Sequence, residues 1–265
     1  MNTDSTISFI DSHCHLDASE FDRDRDEVVA RSIAAGIHQW VVPAVSAQSF
    51  AKTLSMQQLY GAKIALGLHP IYEAEHDDSD LGQLQGLLEQ GHAIAVGEIG
   101  LDFYLPKLNV ARQIQFFEAQ LKIARDYDLP VIVHIRRSQD HVLKYLRKWR
   151  VKGGIAHAFN GSEQQANEFI KLGFCLGFGG AMTYSGSQRI RRLAQNLPLE
   201  YIVLETDAPD IPPAWLAGPP MQRNEPAELL LIANELAKLR GIDLAKVALQ
   251  TNENVSRVLE LSLER

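Results

Sequence analysis

Eight times along the chain, a short apolar run gives way to a longer polar segment with helical spacing. The apolar runs fall at 7–13, 39–45, 63–68, 93–98, 130–134, 153–157, 174–178 and 201–205. Runs such as ISFID, VIVH and YIVLE are apolar on both faces, as strands buried in a parallel sheet must be. Between them, Val110, Ile114, Phe117, Leu121 and Ala124 step by four and three along 110–127, which is one face of an amphipathic helix. Leu229, Leu230, Ile232, Ala233, Leu236 and Leu239 do the same along 225–240, and Pro226 sits at the start, where its missing N–H costs little. Eight strand–helix alternations predict an α/β fold, a (β/α)8 TIM barrel, with a doubly wound open sheet as the alternative. The 265 residues match the size of one such barrel, so a single domain over 1–265 is expected. The Pro- and Gly-rich stretch 208–223 reads as a rim loop after the last strand.

Six residues of metal-ligand type sit at or near the ends of these runs. They are His13 and His15 in IDSHCH, Glu98 in AIAVGEIG, His134 in VIVHI, His157 in GIAHAF and Asp207 in IVLETDAP. A barrel gathers the C-terminal ends of all its strands on one rim, so residues far apart in sequence can converge there. Four imidazoles and two carboxylates form a ligand set for divalent cations, and six ligands exceed the need of one tetrahedral ion. Any one of the histidines alone could be a core residue bonded to a carbonyl. The recurrence at strand ends favours metal. His13 and His15, at i and i+2, point to one face of an extended segment and Cys14 to the other, where it reads as a core thiol. Asp207 can both touch a cation and take a proton from an attacking water.

Other residues leave two readings open. Asp102 is a partner behind a ligand or a helix cap. Glu205 orients a ligand histidine or belongs to a buried ion pair. His69 in GLHP contacts substrate, acts as an acid or is a plain rim histidine. Arg136 shares His134's parity and suits phosphate, as do Arg137 and Arg223. Arg189, Arg191 and Arg192 read as a solvated helix face. Phe103, Tyr104 and Trp215 stack bases or merely cap the barrel. His38, His76, His92 and His141 are expected to face solvent.

Composition narrows the classes. Hydrophobic residues make up 46% and charged residues 22%, as in ordinary globular proteins. Cys14 and Cys175 are too few for a disulfide framework and suit a reducing compartment. No basic-then-apolar leader and no membrane-length apolar run is visible, so a cytoplasmic protein without membrane contact is expected. A net charge of −7 argues against a general nucleic-acid coat but allows a local basic rim.

Taken together, FIDSHCHLD, ALGLHP, VGEIGLDFY, the Gln113–Phe117 and Gln120–Leu121 helix, LPVIVHIR, HAFNGS, LETDAP and RNEP resemble the TatD family of metal-dependent hydrolases. The motifs span nearly the whole chain in order. The resemblance implies a barrel of the amidohydrolase kind with two divalent cations, ligated by His13, His15, Glu98, His134, His157 and Asp207. It also implies DNase-type phosphodiester cleavage, often from the 3′ end. The chain departs from the family pattern at Ile135–Ser138, where H-S-R-x-A is usual, and at Ala158–Asn160, where H-C-F-S-G is usual. Asp210 stands where an aromatic is common. Ligand-type positions are kept, and substrate-facing positions differ.

The expectation is therefore a dinuclear hydrolase with Zn²⁺, Mn²⁺ or Mg²⁺ as candidate ions, the nitrogen-rich ligand set favouring Zn²⁺, Mn²⁺ or Fe²⁺. His13, His15 and Asp207 would hold one cation, His134 and His157 the other, and Glu98 would bridge. Asp207, His69 and Arg136 would act on a DNA or small phosphate-ester substrate, in a monomer. The alternatives are a hydrolase of a small ester, amide or phosphomonoester, and a non-catalytic metal-binding barrel.

Overall fold

A computed structural model describes residues 7–261. Residues 1–6 and 262–265, which belong to the expected 1–265 domain and in part to the leader-free reading, lie outside the described residues. Eight parallel strands pair in sequence order. They are β1 (Phe9–Asp11), β2 (Ile37–Pro43), β3 (Lys63–Leu66), β4 (Ala95–Asp102), β5 (Val131–Arg136), β6 (Gly154–Ala156), β7 (Phe174–Phe178) and β8 (Ile202–Leu204). Between and after them run α1 (Arg25–Ala34), α2 (Phe50–Tyr60), α3 (Asp78–Glu89), α4 (Val110–Asp126), α5 (Gln139–Trp149), α6 (Glu163–Lys171), α7 (Gln188–Asn196), α8 (Leu229–Arg240) and α9 (Leu244–Val258). At the β8–β1 seam, Ser12 N donates to Leu204 O at 3.0 Å and Asp207 N to His13 O at 2.9 Å, so the sheet is a nearly closed barrel. The open doubly wound alternative is excluded.

Each strand gives one residue to a buried layer inside the barrel: Ile10, Val41, Ala65, Ala95, Ile132, Ile155, Cys175 and Val203. Alternate residues face outward into the larger core shared with the helices, and Cys14 joins that core, fully buried, as its parity predicts. The inner layer also packs on Val255, Val258 and Leu259 of and just after α9. Two polar hooks tie α9 to the strand backbone. Asn252 Oδ1 accepts from Ile10 N at 2.9 Å while its Nδ2 donates to Ser8 O. Asn254 Nδ2 donates to Ile202 O at 2.7 Å. The inner layer is closed at that end, which leaves the opposite rim for chemistry.

Two buried glutamines on α4, one face apart by seven residues, set the height of that rim. Gln120 clamps Leu68, accepting from its N–H at 2.7 Å and donating to its carbonyl at 3.1 Å. Gln113 clamps Asp102 in the same two-way manner at 2.8 and 3.0 Å. The residues next to those clamps, His69 and the end of β4, are thereby fixed. Strand β4 runs four residues past the expected end at 98. Gly100, at φ 154°, lets it lie so close to β5 that a Cβ there would meet His134 O at 2.0 Å. Glu98 therefore sits within a strand, and His13 and His15 lie just beyond β1.

Candidate metal centre

The residues named from strand ends do meet. His13 Nε2 lies 3.2 Å from Glu98 Oε2, 3.5 Å from Asp207 Oδ1 and 3.4 Å from His15 Nε2. His15 Nε2 lies 3.6 Å from Asp207 Oδ1. On the other side of Glu98, Oε1 is 3.1 Å from His134 Nδ1 and 3.2 Å from His69 Nε2. His157 Nε2 is 3.7 Å from Asp207 Oδ1 and 3.9 Å from Glu98 Oε1. His134 and His157, read as ligands of one cation, have ring centroids 6.5 Å apart with Glu98 Oε1 near both, and His157 also stacks on His13 at 3.7 Å. Donor atoms draw close in three overlapping sets: His13–Glu98–His157, His13–His15–Asp207 and His69–Glu98–His134. Two ring nitrogens aimed at each other between two carboxylates need something positive between them, a proton or a cation. This buried cluster of histidines and carboxylates fits divalent metal binding.

Carboxylates behind the cluster fix its rings. Asp102 Oδ2 sits 3.1 Å from His134 Nε2, so His134 has a carboxylate on each nitrogen. Asp102 Oδ1 also accepts from Tyr104 and Leu105 N, so it is a partner that closes a turn rather than a helix cap, the cap of α4 being Asn109. Glu205 Oε1 lies 3.2 Å from His157 Nδ1 and accepts from Ala158 N at 2.6 Å. Gly177 makes room for it, since a Cβ there would sit 2.2 Å from Glu205 Oε2. Such partners orient a ligand imidazole and select its tautomer.

These surroundings divide the histidines electrostatically. Burial lowers His157, but Glu205, Asp207 and Glu98 outweigh it and raise it to about 10. Burial likewise opposes, and Asp207 overcomes, a rise of His15 to about 9. His69 is lowered to about 4, chiefly by burial, so it is neutral near pH 7. Its Nδ1 accepts from Ile71 N at 3.1 Å, which leaves the proton on Nε2, facing Glu98. Burial raises Asp207, but His157, His15 and His13 hold it below the usual carboxylate range.

The cluster forms the floor of a cleft of about 1270 Å³. Arg136 and Arg137 line it, and both guanidinium carbons lie within 4.6 Å of the Tyr104 ring centroid. Several expectations need correction. Arg189, read as a solvated helix residue, lines the cleft and bonds Asn160 Oδ1 at 2.6 Å, because α7 begins at this rim. Its neighbour Arg191 turns away to Glu235. Arg223 is tied to Asp24 and Glu225 and stacks over Phe21, away from the cleft lining. His76 is buried rather than solvent-facing, and its Nε2 bonds His69 O at 2.9 Å. Its periodicity gave no sign of this, since the 3-10 turn at Pro70–Tyr72 brings it back under His69. Phe103 packs on the core beside His141, and Trp215 bonds Glu228. Tyr72, 39% exposed on the cleft wall, was not singled out by the sequence.

An eight-stranded barrel with an imidazole–carboxylate cluster at its rim is the architecture of metal-dependent hydrolases. The family model described as TatD related DNase matches residues 10–260. The chain belongs to the TatD family and is a metal-dependent hydrolase of that family. It is similar to the uncharacterized metal-dependent hydrolase YjjV of Escherichia coli K12, at 38% identity over 94% of this chain and 98% of the relative. The crystal structure of that TatD homologue superposes with a TM-score of 0.91, at 37% identity, over 96% of this chain and 98% of the other. The YjjV branch is thus the one to which the sequence motifs point. A 3′-5′ ssDNA/RNA exonuclease TatD of Cronobacter sakazakii is 33% identical over 92% of this chain and 95% of its own length. Among the described residues no helix is long and apolar enough to cross a membrane.

Proposed function

We propose that this protein is a phosphodiesterase that removes nucleotides from the 3′ end of single-stranded DNA with the aid of two divalent cations. The observation that carries the reading is the division of charge around the cleft. The guanidinium groups lining it, Arg136, Arg137 and Arg189, come from the β5 and β7 side. The carboxylates lining it outside the cluster, Asp17, Glu20 and Asp210, come from the loops after β1 and β8. Lys52, which also lines the cleft, is paired with Asp22 at 2.8 Å. An anionic chain is attracted along the arginine wall and repelled at the other, which suits a strand that ends at the cluster. The cleft also exceeds the roughly 300–1,000 Å³ usual for small-molecule sites. The relative named as an exonuclease and the family's DNase description support the same chemistry.

In this reading His13, His15 and Asp207 would hold one cation, His134 and His157 would contribute to the second, and Glu98 would serve both. When bound, such ions lower the pKa of water toward ~7 and offset charge developing on the phosphate. Asp207, ionised at neutral pH, accepts the proton of the attacking water. Neutral His69 donates a hydrogen bond from Nε2 rather than serving as an imidazolium acid. Arg136 holds the phosphate. The test is a 5′-labelled single-stranded oligonucleotide incubated with Mn²⁺- or Zn²⁺-loaded protein, beside a phosphomonoester and an amide. A ladder shortening from the 3′ end, abolished by Asp207→Asn, is expected. Amide turnover without phosphate-ester turnover would reverse the reading. Equal cleavage by both proteins would trace the activity to a contaminant.

A further inference from the structure

Many arginines around the barrel pair with carboxylates: Arg31 and Arg223 with Glu225, Arg191 with Glu235, Arg147 with Glu168, Arg112 with Glu73. Others, such as the exposed Arg150 and Arg192, do not, and what sets the cleft apart is that its arginines converge on one wall and are held in place there. Among the described residues, neither Arg137 nor Arg189 has a carboxylate oxygen within 4.0 Å, and Arg136 reaches Asp102 only at 3.9 Å. Yet none of the three is left loose. Arg136 and Arg137 share the Tyr104 ring, their guanidinium carbons 3.9 and 4.6 Å from its centroid. Arg137 does so from the left-handed region, at φ 56°, a conformation uncommon for residues other than glycine. Arg189 is clamped by two nitrogens on Asn160 Oδ1, at 2.6 and 3.1 Å. Asn160 is itself held through its carbonyl by Gln139 Nε2 at 3.0 Å. Like charges gathered on one wall, positioned but not neutralised, are arranged for an anion. The helices α5 and α7 begin beside them, so their positive ends add to the same field.

We infer that Arg137 and Arg189 form a phosphate track outside the metal centre, which takes the backbone of the strand upstream of the nucleotide being removed. The inference rests on the nuclease reading above and adds to it a length requirement. A substrate with a single phosphate reaches the cluster and Arg136, whereas a strand of several nucleotides also engages Arg137 and Arg189. The tyrosine serves as the platform that aligns the guanidinium groups, and base stacking falls instead to Tyr72 across the cleft.

The experiment compares metal-loaded wild type with Arg137→Ala, Arg189→Ala and Arg192→Ala. The substrates are a single-stranded octanucleotide and bis(p-nitrophenyl) phosphate, and octamer binding is followed in parallel by fluorescence anisotropy. Arg192, exposed on the same helix and outside the cleft lining, is the control. We expect each of the first two variants to raise KM for the octamer about fivefold at low salt, with a smaller change in kcat. Their preference for octamer over the small diester falls accordingly, and Arg192→Ala matches wild type. The logarithmic salt dependence of octamer binding should flatten by about 0.7 for each phosphate contact removed. An octamer cleaved with a KM indifferent to Arg137 and Arg189 overturns the track and leaves the nuclease reading standing. An octamer bound in an Arg189-dependent manner but left intact by wild type overturns the nuclease reading and keeps the track. Equal losses on both substrates assign the arginines to folding of the rim and overturn the track.

Discussion

Replacing Glu205 by glutamine removes one charge and almost no volume from behind His157. Glu205 is 1% exposed, lies 3.2 Å from His157 Nδ1 and also accepts from Ala158 N. Its charge favours any positive partner of the ring, whether a cation at Nε2 or a proton. These two uses compete. With His157 raised to about 10, displacing its proton at pH 7 costs three units at 1.36 kcal/mol, or about 4 kcal/mol. Near pH 9 that competition has fallen to one unit, about 1.4 kcal/mol, and most of the loss of the carboxylate should appear, approaching a 10- to 100-fold weaker cation affinity, about 1.4 to 2.7 kcal/mol. Toward pH 6.5 the variant binds its proton less tightly as well, so the two effects partly cancel and the deficit shrinks. Calorimetric titration of metal-stripped protein with Mn²⁺ at both pH values, in two buffers of different ionisation enthalpy, reads affinity and protons released. Wild type should bind more tightly as pH rises and release protons, because the raised His15 and His157 must be neutral to ligate. A deficit equal at both pH values, or none at pH 9, refutes the reasoning.

Gly177→Ala should push Glu205 from the other side. A Cβ 2.2 Å from its carboxylate forces a shift in a fully packed strand, at a cost of about 1–3 kcal/mol, and thermal melting of the metal-free protein should fall by roughly 2 to 12 °C. An unchanged melting temperature would show that the carboxylate does not occupy that space. The Arg223 network carries an acid-side signature. The hydrogen bond from Arg223 holds Asp24 below its ordinary 3.8, and Arg31 and Arg223 together outweigh burial to hold Glu225 below 4.5. A depressed folded pKa gives stability that is present above the ordinary value and lost as pH falls through the folded one. The melting difference between wild type and Arg223→Ala should therefore be open at pH 7 and close below about pH 4; a constant difference from pH 7 to 3 would mean packing on Phe21, not charge, is what Arg223 supplies.

The barrel was legible because buried parallel strands cannot alternate polar with apolar, and eight such runs admit few arrangements. The six ligand-type residues were legible for a related reason: a polar residue at or near the end of a wholly apolar run is carried toward the rim. What escaped was set by irregular backbone. β4 runs past Glu98 because Gly100 allows a close approach to β5, which no hydrophobic period records. His76 returns beneath His69 through a 3-10 turn, so its exposure could not be read from helical phase. The stacking of His157 on His13 depends on where β6 and β1 stop relative to each other. Arg189 and Arg191 share one helix, but the wheel alone did not say which faced the rim. The expected acid role of His69 depends on a backbone N–H at its Nδ1, a contact visible only in three dimensions.

The most direct test of the account is anomalous diffraction from crystals of metal-loaded protein, with elemental analysis of the same sample. The account predicts two divalent cations in the cluster, with oxygens of Glu98 shared between them. His13, His15 and Asp207 should hold one cation, with His134 and His157 on the other. Bond lengths to nitrogen should be near ~2.1 Å. One fully occupied cation, or none in protein that retains activity, would contradict it.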